Sequence, residues 1–231
     1  VFIDLDGDFV QDTDEPTGTS DANGFFAVEN LAGSGSPKII SIGGTDTKTG
    51  KALPNLALMS DLPSDASKSM AVTPITTLVA VAETPVAKAK VLTALGVTGT
   101  VEELLTTDNW AEAEAGDAIA KELQRKNQQV GLILQTAESL VDSDAATKAT
   151  DVTQAVAKQL VEETSSSDSV DLTQASTISE VLTDAIVEVA PEVSVATETI
   201  SAVSSSVSEV NTLVGDSQLD PTGDANAEIL D

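Results

Sequence analysis

The chain has no cysteine and no histidine. Without cysteine there are no disulfides, a lack that many exported bacterial proteins share, so it leaves the compartment open. Without histidine the commonest general base and the commonest transition-metal ligand are missing, which removes most catalytic triads and most zinc or copper sites. Tyrosine is absent too, and four Phe and one Trp bring aromatics to only 2% of the residues. The core must therefore be built from Val, Leu, Ile and Ala, which suits thin helical layers better than a pocket lined with rings. Basic residues are scarce: Lys and Arg number 11 against 38 Asp and Glu, for a net charge of −27. A phosphate backbone or an anionic membrane surface is repelled by such a chain, so nucleic acid is excluded as a partner. No apolar run reaches the roughly 18 residues needed to span a bilayer, so membrane insertion is not expected. The charge opposes compaction unless cations or salt screen it, which makes a saline or divalent-rich medium the natural setting.

What is present divides into two units, as expected for 231 residues. Residues 1 to 72 carry the turn chemistry and read as strands. Val1 to Ile3 is a β-prone run ending at an acidic loop. Asp21-Ala22-Asn23-Gly24 reads as a hairpin turn whose returning strand starts at Phe25. Lys38 to Ile42 is a further strand closed by Gly43-Gly44, and Leu53 to Met59 is another apolar stretch, interrupted by Pro54. From Thr73 the period becomes helical. Thr73-Pro74 caps one helix, Pro85 opens a second that Gly96 ends, and a short turn covers Val101 to Leu105. The cluster Thr107-Asp108-Asn109 starts a long helix to Val141, with Ile119, Leu123, Val130, Ile133, Ala137 and Leu140 along one stripe. Gly116 and Gly131 within it mark a break or a close helix crossing. Asp144 begins a helix to Glu163, Thr164 to Asp168 is a Ser-rich linker, and two further helices run from about Leu172 and around Ile200. The expected class is α+β: a partial N-terminal β-sandwich over 1–72 and an all-α helical bundle or array over 73–215. Residues 216–231 read as a linker to a further module.

One stretch carries chemistry. Asp4-Leu5-Asp6-Gly7-Asp8-Phe9-Val10-Gln11-Asp12-Thr13-Asp14-Glu15 has the spacing of a twelve-residue calcium loop. The side chains of Asp4, Asp6, Asp8, Asp12 and Glu15 fall at positions one, three, five, nine and twelve, and the Val10 carbonyl falls at seven. Five carboxylates in line repel one another unless a divalent cation gathers them. The departure is position six, normally Gly, which is Phe9; a positive φ there costs on the order of 1 kcal/mol.

The run VFIDLDGDFVQDTDEPTGTSDANGFFAV resembles the calcium-binding β-sandwich modules of large bacterial surface proteins, of the SdrD B-like and Cna B-like or carboxypeptidase-regulatory-like type. Those modules read D-x-[DN]-x-DG-x-x-D-x-x-E and then T-D-x-x-G-x-[FY]-x-F. Asp4, Asp6, Asp8, Asp12 and Glu15 match the first motif, and Ser20 to Phe26 match the second. The later pieces GGTDTKTGKAL and VTPITTLV are similar to segments that follow such modules in very large exported proteins of marine bacteria. The resemblance covers about 30 residues in its specific part, and it implies a non-catalytic, extracellular or cell-surface structural or adhesion module with calcium as its ligand.

The chain begins at Val1 without Met and is read as a piece of something longer, whose missing first strand lies upstream or is lent by a neighbour. The expected partners are therefore neighbouring domains of the same parent chain or identical subunits. A rival reading makes the chain a self-assembling subunit of a surface filament, layer or viral fibre, joined by strand addition at an open edge. An enzyme is not expected, for no aromatic platform or paired acid is visible, and Glu112 and Glu114 lie on different sides of a helix. Gly33-Ser34-Gly35-Ser36 lacks the Lys-Ser/Thr of a phosphate loop and reads as a turn. Ser165 to Ser167 and Ser204 to Ser206 read as surface and linker serines, and Trp110 as a core plug.

Overall fold

The computed structural model describes residues 1–29, 36–47, 50–65, 68–141, 149–193, 195–216 and 218–223. Three strands, β1 (Phe2–Asp4), β2 (Lys38–Ile42) and β3 (Ala57–Asp61), form one antiparallel sheet in the order β1-β2-β3. Its register sets Phe2 opposite Ile40 and Ile40 opposite Met59, and sets Ile3 opposite Ile39 and Ile39 opposite Ser60. Because side chains alternate along a strand, these two rows lie on opposite faces. The Phe2, Ile40 and Met59 row packs with Ala80 and Phe9 as a small core of its own.

Eight helices follow among the described residues: α1 (Pro74–Val81), α2 (Pro85–Leu95), α3 (Val101–Thr106), α4 (Asn109–Glu114), α5 (Ala118–Val141), α6 (Ala149–Ser166), α7 (Ala175–Val189) and α8 (Thr197–Val214). Their boundaries follow local chemistry. Thr73 and Thr84 cap α1 and α2, each with Pro in the first turn, and α2 stops at Gly96 in the left-handed region, φ 72°. Asp108 caps α4 through the Ala111 N–H. Helix α5 is the hub, packing against α1, α4, α6, α7 and α8. One continuous aliphatic core, including Leu78, Ile133, Leu134, Leu160, Ile178 and Leu182, joins the array.

Neither edge of the sheet is left bare. Along the outside of β1, the Ile3 N–H donates to the Pro16 carbonyl and the Gly18 N–H to the Val1 carbonyl, so residues 16–18 take up that edge. Along β3, helix side chains replace a fourth strand. Thr76 Oγ1 donates to the Met59 carbonyl, the Met59 N–H donates to Thr77 Oγ1, Thr153 Oγ1 donates to the Ala57 carbonyl, and the Ala57 N–H donates to the Glu138 carboxylate. The array thus satisfies backbone groups that an exposed strand would leave open.

The coarse order of sheet first and helices after agrees with the sequence, and the details differ in four places. The turn at Asp21 forms, with Asp21 Oδ1 accepting from the N–H groups of Asn23 and Phe25, but Phe25 to Val28 is extended chain and not a ladder strand. The long helix breaks between α4 and α5, where Gly116 has φ 97°. Gly131 is instead a close crossing, since a Cβ there would meet Pro74 Cγ at 3.2 Å. Ile119, placed on the buried stripe by its spacing, is 56% exposed, while its neighbour Ala120 is buried, so the first turn of α5 packs through Ala120 and turns Ile119 outward. Finally, Thr164 to Ser166 belong to α6, and Thr164 is buried. Gly33 to Gly35, the helix start at Asp144 and residues 224–231 lie outside the described residues. Of the last stretch, residues 219–221 bond to α5: Arg125 donates to the Leu219 carbonyl, Gln128 to the Pro221 carbonyl, and Lys121 pairs with Asp220. That pairing and the Thr222 N–H hold the Asp220 carboxyl down at about 2.

Candidate metal centre

Strand β1 ends at Asp4, and the chain then turns back on itself to reach Pro16. Asp4 is buried, at 1% exposure. Its two oxygens accept the Gly7 N–H at 2.7 Å and the Phe9 N–H at 3.2 Å. The pattern repeats along the loop, with Asp6 Oδ1 accepting from the Asp8 N–H and Asp8 Oδ1 from the Val10 N–H. Glu15 closes the loop: Oε1 accepts the Leu5 N–H at 2.7 Å and Oε2 the Asp12 N–H at 3.0 Å. Bonds from neutral donors to a carboxylate are the stronger kind, so the chain is wound around its own acids.

The winding brings three of the expected ligands together. Asp4, Asp6 and Asp8 each offer a carboxylate oxygen, and these three atoms lie within 4.8 Å of one another. Asp12 and Glu15 stand outside that trio. Glu15, also buried, has each oxygen on a backbone N–H, although a carboxylate oxygen keeps a second lone pair. Val10 contributes its N–H to Asp8.

Phe9, at position six, has φ 61°, the one positive φ outside glycine among the described residues. The expected left-handed turn is thus made by a residue that disfavours it, at about 1–2 kcal/mol. The ring offsets part of this by packing against Phe2, Ile40, Met59 and Ala80. Gly7 takes a second positive φ, 86°.

No ion pair among the described residues reaches Asp4, Asp6 or Asp8. Lys38 stands across the ladder from Asp4, yet its ammonium donates to Asp61 and to the Ala80 carbonyl. Lys88 also pairs with Asp61. An all-oxygen donor set of this kind, with no ammonium or guanidinium paired to it, fits a hard divalent cation.

Of the other residues singled out by sequence, Ser165 Oγ donates to the Val161 carbonyl and Ser166 Oγ to the Glu163 carbonyl, so both are spent on their own helix. Ser205 and Ser206 do the same on α8, while Ser204 is buried. Trp110 is no core plug: it is half-buried, and its Nε1 donates to Glu114 Oε1 at 2.8 Å. A group that sequence reading passed over is Glu138 on α5. Burial pushes its carboxyl up to about 7, against the opposing effect of the Ala57 N–H, and its Oε1 has no hydrogen-bond partner. An isolated Glu on an amphipathic helix gives no sequence signal that it meets a strand edge. No helix among the described residues is long and apolar enough to cross a membrane. Comparison with protein-family models, with curated proteins and with solved structures finds no match to this chain.

Proposed function

We propose that this chain is a non-catalytic, calcium-stabilised structural or adhesion module of an extracellular or cell-surface bacterial protein. The observation that carries the reading is the convergence of Asp4, Asp6 and Asp8 within 4.8 Å, in a loop whose sixth position is held left-handed. Those three residues supply the first oxygens, and Asp12, Glu15 and the Val10 carbonyl are the further ligands that the loop spacing assigns. Calcium bound there neutralises crowded acids and fixes the loop against the small core through Phe9. It also lowers the self-repulsion of a chain carrying −27. Binding to the folded state alone stabilises it by an amount that grows with the logarithm of calcium concentration.

Isothermal titration with calcium, with Asp6→Asn/Asp8→Asn as the control, tests the proposal. Stoichiometric binding that the double variant loses is the expected result. Equal heats for both proteins, or a preference for magnesium over calcium, overturn it.

A further inference from the structure

The sheet's second face, bearing Ile3 and Ile39, looks onto an open cleft of about 1170 Å³. Its walls are the segment 22–28, the turn at 46–47, the approach to α1 at 68–74, and α4 with its cap. The volume is at or above the top of the roughly 300–1,000 Å³ usual for a small-ligand site.

Two kinds of side chain meet in this cleft. The chain has four Phe and one Trp, and Phe25, Phe26 and Trp110 all line it. Phe25 is 65% exposed, and Phe26 and Trp110 are half-buried, so each ring is open to solvent. The carboxylates are those of Asp46, Asp108 and Glu114. Asp108 and Glu114 are exposed and Asp46 is half-buried. Trp110 Nε1 donates to Glu114 Oε1 at 2.8 Å, which fixes a ring beside a carboxylate. The one basic residue of the lining is Lys68, and its ammonium lies 3.7 Å from Glu102, outside the cleft. Ring faces and carboxylates both attract cations. The net charge of −27 raises the local concentration of cations further.

The arrangement of the acids selects among cations. Among the described residues only Asp4, Asp6 and Asp8 bring three carboxylates within 4.8 Å of one another, so the cleft's acids do not gather around one point as a metal ion requires. Asp108 and Glu114 bracket α4, about 9 Å apart along its axis. Asp46 lies on a separate wall, beyond β2. A single ammonium cannot pair with all three. A basic peptide is held chiefly by adding to a sheet edge, and both edges are used, by residues 16–18 and by the threonines of α1 and α6. A linear polyamine has no backbone to satisfy. Its ammonium groups are spaced by short methylene runs, which lie against rings while the charges reach separate carboxylates. We infer that the cleft binds a linear polyamine along Phe25, Trp110 and the acids of α4. The inference does not rest on the calcium loop, whose Phe9 packs on the opposite face of the sheet.

The single tryptophan supplies the readout. The full chain in physiological salt is titrated with spermidine and spermine while Trp110 emission is followed, with trilysine and fully acetylated spermine as comparison probes. The expected result is a saturable change with spermine or spermidine. Asp108→Asn/Glu114→Gln should weaken it about tenfold, and Phe25→Ala about threefold. Asn still caps α4, Gln still accepts from Trp110 Nε1, and Phe25 is largely exposed, so these variants keep the fold, as circular dichroism verifies. Asp184→Asn/Glu198→Gln, which removes the same charge from α7 and α8, and Asp6→Asn/Asp8→Asn in the loop should leave the affinity within about twofold. No saturable response at millimolar polyamine overturns the inference. So does an equal loss in the α7/α8 or loop variant, which would assign binding to bulk charge or to the loop. Tighter binding of trilysine or of acetylated spermine, or an affinity that Phe25→Ala leaves unchanged, overturns it as well.

Discussion

In the helical array the side chains withdrawn from water are aliphatic: Ile75, Leu78, Ile133, Leu134, Leu160, Ile178 and Leu182 are fully buried. In the first fifteen residues the buried set includes two carboxyl side chains, Asp4 and Glu15, each accepting two backbone N–H groups. The array is held by a non-directional force proportional to area, so its losses follow the volume removed rather than the direction of any bond. The loop is held by a few directional bonds to charged groups, and its geometry fails if one acceptor is lost. The first region is therefore expected to be indifferent to ions and sensitive to lost volume, and the second to be the reverse.

Truncating the array should have the largest effect. Leu182→Ala or Ile133→Ala is expected to cost about 2–5 kcal/mol by urea denaturation, equally with calcium and with chelator. A cost that depends on calcium would show that loop and array respond as one. Next in size, calcium at a hundred times its dissociation constant should add about 2.7 kcal/mol. Chelator should lower the melting temperature of the parent and leave Asp6→Asn/Asp8→Asn unmoved; identical melting curves for the parent with and without chelator would remove the contrast.

Glu138 joins the array to the sheet through the Ala57 N–H, and its titration reads that contact. Its folded carboxyl is raised from the ordinary 4.5 to about 7. The folded state therefore holds the proton more tightly, and its contribution to stability is full below about 4.5, declines as pH rises to about 7, and is gone above. Glu138 is only half-buried, so after discounting for solvent this amounts to on the order of 1–2 kcal/mol. Glu138→Gln, which keeps an acceptor for the Ala57 N–H, should raise the melting temperature at pH 8 and leave it nearly unchanged at pH 4.5. A shift of the same size at both pH values would assign the effect to packing.

The smallest effect concerns Phe9. Both Phe9→Gly and Phe9→Ala lose the ring's contact with Phe2 and Met59, but only Gly relieves the positive φ. The glycine variant should exceed the alanine variant in stability by about 1 kcal/mol. Alanine equal to or better than glycine would mean that the loop does not need the left-handed turn.

Much of the architecture was legible because its signals are local. Thr73-Pro74, Pro85 and Gly96 mark helix ends within a few residues of the backbone groups concerned. The acidic loop was legible for the same reason, since Asp4, Asp6 and Asp8 bond to N–H groups two to five residues away. Partners distant in sequence were not. Phe25 to Val28 has a strand's composition, yet a strand exists only where a ladder is offered, and the β1 edge went to residues 16–18. Gly116 and Gly131 look alike on paper, and only the approach of Pro74 tells a crossing from a break.

By itself the sequence determined a strongly negative net charge, helix boundaries written in caps, and a carboxylate spacing suited to a hard cation. These follow from composition and from bonds spanning a few residues. Only the tertiary structure decided that β3 would be edged by Thr76, Thr77, Glu138 and Thr153, and that Phe25, Asn109, Trp110 and Asn127 would share one cleft. Those juxtapositions join residues up to about a hundred positions apart, and nothing local distinguishes them until aliphatic burial packs the array onto the sheet.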